Sequence, residues 1–204
     1  MTLPKRRVNK RLQYSQPFVY LYVVQTARKL LTALRSLADE ERYLFTPADL
    51  SALVPDLHAS AFKSLLSRLV GRGELIRICR GVYRPAWIDP PHGRILYHAA
   101  ARLRSGGLVY LSLESVLSEA GVISQVPMQR ITLMTSGRGG TIDCGDLGMI
   151  EFTHTRQRPE AVMDHLHYDA ERRLWCADVD QALKDLRHTG RNLDLIQEEP
   201  DESV

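Results

Sequence analysis

Between residues 60 and 72 the apolar side chains Phe62, Leu65, Leu66, Leu69 and Val70 recur at i, i+3, i+4, i+7 and i+8, a spacing that only a helix gathers onto one face. That face must meet a core. What is left for the outer surface is Ser60, Lys63, Ser64, Ser67 and Arg68, two cations and three small hydroxyls with no bulky group among them. Gly71 and Gly73 end the helix, and 74–79 then alternates as a strand, with Ile76 and Ile78 on one side and Arg77 on the other. Arg80-Gly81 makes a tight turn into a second strand at 82–84, which carries Arg84.

Upstream, a helical stretch begins at Phe18 and places Ala27, Leu30, Leu31, Leu34, Leu37 and Ala38 on one face, until Asp39-Glu40-Glu41 ends it. Thr46-Pro47 is a helix start, a hydroxyl cap followed by proline at the first helical position, and Pro55 stops the segment 47–54. Three short apolar-faced helices followed by a basic hairpin are the order of a winged helix-turn-helix. Its third helix has the chemistry for phosphates and base edges in a major groove, and Arg77, Arg80 and Arg84 line a hairpin able to reach the adjacent backbone or minor groove. Winged helices also serve as protein-interaction modules, with their cations merely solvated; the charge distribution favours DNA.

The total charge of +3 conceals that distribution. Residues 1–104 hold 18 Lys and Arg against 7 Asp and Glu, a net of +11, while 105–204 hold 9 against 17, a net of −8. The basic excess coincides with the third helix, the hairpin and an N-terminal arm at 1–17 carrying Lys5, Arg6, Arg7, Lys10 and Arg11, expected to lack structure until it meets a polyanion. Cations on phosphates release counterions, so arm and hairpin would supply affinity and the helix sequence choice. The 204 residues suffice for two compact units. The expected division is the arm at 1–17, a winged helix-turn-helix at 18–92, a linking helix at 93–104, an α/β unit at 105–196 and an acidic tail at 197–204.

In the second half a strand at 108–111 leads to a helix capped by Ser112 and ended near Gly121. A strand at 130–134 precedes a hairpin of 141–144 and 149–153 joined through Gly145-Asp146-Leu147-Gly148, followed by helices at 159–166 and, capped by Asp178, up to Arg187. The fold class is therefore α+β: an N-terminal winged helix-turn-helix and a C-terminal mixed α/β domain.

Enzyme chemistry is poorly provided for. Asp143, Asp146 and Glu151 would be the carboxylates of a metal-dependent nuclease, but Asp146 sits in a Gly-Asp-Leu-Gly turn and Glu151-Phe152-Thr153 lacks the lysine of Glu-x-Lys. Ser136-Gly137-Arg138-Gly139-Gly140 has neither the spacing nor the Lys-Ser/Thr ending of a Walker loop and reads as a connection. His154, His165, His167 and His188 form no Glu-x-x-His pattern, and Ser112 and Ser115 have no nucleophile elbow. Cys79, Cys144 and Cys176 are odd in number and far apart, which argues against a disulfide framework or a zinc site and for reduced, cytoplasmic thiols. No cofactor, metal or catalytic residue is expected, and no apolar run or signal core points to a membrane or to export.

Several local strings resemble the AbiEi-type antitoxins of bacterial abortive-infection toxin–antitoxin systems, over about residues 45–188. They are Leu65-Leu66-Ser67-Arg68-Leu69-Val70-Gly71-Arg72-Gly73-Glu74-Leu75-Ile76-Arg77 running into Arg80-Gly81-Val82-Tyr83, then Tyr110-Leu111-Ser112-Leu113-Glu114-Ser115-Val116-Leu117 with Gly121-Val122-Ile123, and a late helix with Ala182, Leu183 and Asp185. Arg-Gly-Val-Tyr and Tyr-x-Ser-x-x-Ser in this order are the most telling. The resemblance implies a repressor of its own operon, binding double-stranded operator DNA, with repeats and a homodimer on DNA as the expected arrangement. It also implies a C-terminal domain that counters a nucleotidyltransferase-like toxin, directly or indirectly, with Tyr110, Ser112 and Ser115 as candidate contacts. Val116-Leu117 stands where the family commonly has Ala-Leu, and the long first helix is a larger departure. A different reading is a stand-alone winged-helix regulator whose C-terminal half senses a ligand or oligomerises.

Overall fold

The computed structural model describes residues 16–91, 93–123 and 129–191. Arm residues Lys5, Arg6, Arg7, Lys10 and Arg11 and the acidic tail at 197–204 lie outside the described residues. Gln16 and Pro17, read above as arm, open helix α1 (Gln16–Leu37). On its inner face Ala27, Leu30 and Leu34 are buried; Leu37, expected to join them, is exposed.

A capping box starts α2 (Pro47–Ala52): the Asp49 amide donates to the Thr46 hydroxyl, while the Asp49 carboxylate accepts the Thr46 backbone N–H at 2.7 Å. α3 (Ala59–Gly71) buries Phe62, Leu65, Leu66 and Leu69 against α1, α2 and Leu75, forming one continuous apolar cluster. It runs into β1 (Leu75–Cys79), antiparallel to β2 (Val82–Pro85). The turn between them needs Gly81, whose φ of 93° disfavours any residue with a Cβ. Phe45 exchanges backbone hydrogen bonds with Tyr83, adding the short third strand segment of a winged helix.

The alternation expected along β1 fails: Ile76 is exposed and Ile78 buried. The register shifts between Arg77 and Cys79, and a bulge there puts consecutive residues on faces that strict alternation does not give them.

The second sheet has six strands: β3 (Val109–Leu111), β4 (Arg130–Thr135), β5 (Gly140–Asp143), β6 (Met149–His154), β7 (Leu166–Asp169) and β8 (Leu174–Ala177). Their order is β5-β6-β4-β3-β8-β7, with β4–β6 and β3–β8 parallel and the other pairs antiparallel. Period-two alternation divides its faces. Val109, Leu111, Ile131, Leu133, Ile150 and Phe152 face α4 (Ile95–Leu103) and share a core with Tyr43, Leu44, Ile78, Cys79 and Val82 of the winged helix. Tyr110, Met134 and Ala177 face away, packing with α5 (Glu114–Glu119), α6 (Pro159–Val162) and α7 (Val179–Thr189). One face of the sheet thus carries helices, and the other carries α4 and the winged helix itself.

Three local expectations change. Ser112 does not cap α5: the cap position is Leu113, held at a φ of 58°, and the Ser112 hydroxyl donates to Asp185 instead. The helix expected over 159–166 shortens to α6 and a 3₁₀ turn at Met163–His165, because Leu166 already begins a strand. The β7–β8 hairpin was not anticipated, its segments being only four residues each and short of a full alternating signature.

His98 joins the two halves. Its Nε2 faces the Glu171 carbonyl at 2.8 Å and must donate there, so Nδ1 accepts from the Tyr43 hydroxyl at 2.6 Å. Tyr43 precedes α2, His98 is on α4 and Glu171 lies in the β7–β8 turn. Arg173 of that turn also donates to the Glu41 carbonyl, and Arg102 of α4 pairs with Asp49 of α2 at 2.5 Å. Burial would raise the Asp49 carboxyl, but hydrogen bonds from Thr46 and Arg102 outweigh it and hold it below the usual carboxylate value.

Candidate nucleic-acid interface

α3 presents Ser60, Lys63, Ser64, Ser67 and Arg68 outward, all five exposed. The helical spacing makes Ser60, Ser64 and Ser67 the ridge opposite the core, with Lys63 on one flank and Arg68 on the other. His58 caps the helix by accepting the Ser60 amide, and its Nδ1 is 3.0 Å from the Ser60 hydroxyl. Ser64 donates to the Ser60 carbonyl at 3.1 Å and Arg68 Nε to the Ser64 carbonyl at 3.1 Å, so the Arg68 side chain lies back along the helix with its terminal nitrogens outermost.

On the Lys63 flank a groove of about 990 Å³ runs between α2, α3 and the hairpin. Its floor is apolar, with Phe62, Leu66, Val70 and Tyr83, and its rim carries Lys63, Ser67, Arg77 and Arg80. Two of the three hairpin arginines therefore share a concavity with the third helix. Arg84 does not. In the β1–β2 register Arg84 pairs with Ile76 and Arg77 with Tyr83, so Arg84 stands on the opposite face of the hairpin. There its Nη1 donates to the Pro85 and Ile88 carbonyls, at 3.2 and 2.5 Å, and its Nε is buried. It buttresses the loop after the hairpin.

Beside the hairpin a second groove of about 840 Å³ has Arg77 and Arg80 on one wall and Arg104 and Arg138 on the other. Arg104 lies over the Phe152 ring, 4.7 Å from its centroid, and donates to the Arg138 carbonyl. Sequence reasoning passed over both residues. The glycines flanking Arg138 were the available signal, since they leave its backbone accessible to the Arg104 guanidinium.

Tyr110, Ser112 and Ser115 are all buried. Ser112 donates to Asp185 Oδ2 at 2.8 Å, and Gln157 and Gln181 donate to Oδ1 at 2.7 and 2.9 Å. Ser115 and Thr132 exchange hydrogen bonds between side chain and backbone in both directions, which fastens α5 to β4. Burial and the nearby Asp185 raise the Tyr110 hydroxyl far above the usual phenol range. These positions hold the α5, α7 and sheet layers together; in this conformation they offer no surface to a toxin. Tyr-x-Ser-x-x-Ser is thus a packing signature here.

The carboxylates considered for a nuclease are engaged elsewhere. Glu151 pairs with Arg191 at 2.5 Å and with Arg130 at 3.4 Å, and the Arg191 hydrogen bond keeps its carboxyl low despite burial. Asp143 accepts the Gly145 amide. Among the described residues no group of His, Cys, Asp and Glu could hold a metal ion, and no helix is long and apolar enough to cross a membrane.

Helices α2 and α3 and the hairpin lie inside a segment with a known signature. Residues 33–86 match the family of AbiEi antitoxin transcriptional regulators. The AbiEi resemblance read from the sequence holds over this segment, which spans about a quarter of the chain and is of a winged-helix, regulatory type. It is not an enzyme family. No curated protein matches the chain.

Proposed function

We propose that the chain is an AbiEi-type antitoxin that represses its own operon: α3 enters the major groove of operator DNA, and Arg77 and Arg80 hold the adjacent backbone. The observation that carries this reading is the rim of the α3–hairpin groove, where Lys63, Ser67, Arg77 and Arg80 share one concavity while the apolar face of α3 is consumed by the core. Two cations and three hydroxyls on a slim ridge fit phosphates and base edges, and the arm cations Lys5, Arg6, Arg7, Lys10 and Arg11 add counterion-releasing contacts. The six-stranded unit, with its net negative charge, is the part that counters a nucleotidyltransferase-like toxin. Opposite charge there favours encounter with a basic partner.

The test is fluorescence anisotropy of full-length protein on the duplex upstream of its own gene and on a random duplex. Lys63→Ala combined with Arg68→Ala should weaken the first at least tenfold more than the second, about one good base contact. Equal loss on both would reduce α3 to a phosphate contact. Co-expressed with the neighbouring toxin gene, the same variant should still restore growth while losing repression; loss of rescue would place toxin control in the winged helix.

A further inference from the structure

The groove of about 840 Å³ beside the hairpin is lined by four arginines, Arg77 and Arg80 from the winged helix and Arg104 and Arg138 from the facing wall. Arg77, Arg80 and Arg138 are exposed, and none of the four makes an ion pair among the described residues. Arg104 donates to the Leu103 and Arg138 carbonyls, and its Nε is buried without a partner. The one carboxylate in the lining, Asp143, accepts the Gly145 amide. Four cations around one concavity repel one another until an anion joins them.

An anion of the right size belongs to the same chain. After Arg191 the sequence holds Asp194, Glu198, Glu199, Asp201 and Glu202 and no Lys or Arg. The point from which this segment leaves is fixed: Arg191 pairs with Glu151 of β6 at 2.5 Å and with Glu114 of α5 at 3.0 Å. Thr141 of β5 lies opposite Glu151, and β5 is the edge strand whose residues Gly140–Asp143 line the groove. The Glu151 anchor therefore stands one strand spacing, about 4.8 Å, from the wall of the groove, on the opposite face of the sheet. Glu198 is seven residues beyond Arg191, a reach of up to about 23–25 Å when extended, enough to round the edge of β5. We propose that the acidic segment 197–202 docks in this groove, its carboxylates pairing with Arg77, Arg80, Arg104 and Arg138. The tether keeps the segment at an effective concentration on the order of millimolar, so exposed ion pairs that are weak one by one suffice. A concavity of this volume takes a short extended segment, whereas a duplex meets only its rim. Arg77 and Arg80 line both this groove and the α3 groove, so the docked segment takes the two hairpin cations away from DNA. That competition rests on the DNA reading; the docking does not.

The experiment places a nitroxide at position 203 of the full-length chain through Ser203→Cys, the three native cysteines being buried, and reads the broadening of backbone amide signals. At low salt the amides of Arg80, Gly81, Gly139 and Gly140 should lose about half their intensity or more relative to the reduced label. They should recover at 1 M salt, where the screening length falls to about 3 Å. Signals that stay sharp at low salt overturn the docking. So does broadening that persists in the neutralised chain carrying Glu198→Gln, Glu199→Gln, Asp201→Asn and Glu202→Gln. Occupancy of about nine-tenths leaves about one-tenth of the protein open, so the neutralised chain should bind the upstream duplex about tenfold tighter. Arg138→Ala, at an exposed position, should shift affinity in the same direction by releasing the segment. Weaker DNA binding by Arg138→Ala would give the groove to DNA phosphates and overturn the proposal. Docking with no gain in the neutralised chain overturns the competition, whereas a chain that docks its segment but binds no DNA, neutralised or not, overturns the DNA reading and leaves the docking intact.

Discussion

Arg77, Arg80 and Arg84 look equivalent in the sequence, and the structure makes them unequal in a way that salt dependence measures. Arg77 and Arg80 stand on the groove rim with Lys63, whereas Arg84 spends its guanidinium on the Pro85 and Ile88 carbonyls. Each phosphate neutralised contributes about 0.9 to the slope of log affinity against log salt. Arg77→Ala with Arg80→Ala should therefore flatten the slope by about 1.8. With 1 M salt as the common reference, this weakens binding about 30-fold at 0.15 M and about 200-fold at 0.05 M. The loss should be the same on the cognate duplex and on random sequence, since phosphates carry no sequence information. Arg84→Ala should leave the slope unchanged and instead lower folding stability by about 1–3 kcal/mol, the range for losing hydrogen bonds made by a charged group. Anisotropy titrations at five salt concentrations, with urea denaturation of the same preparations, supply both numbers. If Arg84→Ala flattens the slope as much as either single hairpin variant, or if the double variant leaves it intact, the assignment of the two faces is wrong.

Three further outcomes test the frame that positions this surface. Gly148→Ala should prevent folding at 37 °C or cost more than about 3 kcal/mol by urea denaturation, because an added Cβ would lie 2.0 Å from the Gln129 carbonyl oxygen at a φ of 110°. Asp185→Ala should cost about 3–5 kcal/mol, since it strands the buried donors of Ser112 and Gln181 and the half-buried donor of Gln157; a loss below 1 kcal/mol by the same assay would show the network to be dispensable. Burial lowers the His98 pKa below its ordinary 6.5, so the folded state binds fewer protons than the unfolded one in that window. Stability present above pH 6.5 should therefore be lost as the pH falls from 6.5 through the lowered native value; His98→Asn should flatten that portion of the curve, and an unchanged profile would remove His98 as its source.

The winged helix was legible because its signals are local. Phe62 to Val70 fix the buried face of α3, and Thr46-Pro47 and Arg80-Gly81 mark the ends of α2 and the hairpin turn by backbone chemistry alone. The outward set on α3 follows from the same periodicity. Arg84 was expected on the groove because the sequence does not show the register of β1 to β2, which pairs Arg77 with Tyr83 and Arg84 with Ile76 and so puts the two arginines on opposite faces. Tyr110, Ser112 and Ser115 were legible as a motif but not as a core, since Asp185 and Thr132, which satisfy their layer, come from distant elements.

The sequence by itself determined where the chain turns helical, where the hairpin closes, and that cations gather in its first half and anions in its second. These are properties of near neighbours and of composition, set by backbone geometry and charge counting. Tertiary structure alone decided that the winged helix packs on one face of the six-stranded sheet, that His98 ties the two together, and that Arg84 stands away from the groove shared by Arg77 and Arg80. The physical reason is that a buried contact is chosen by the complementarity of whole faces, and residues 55 positions apart, such as Tyr43 and His98, share no pattern along the chain that records it.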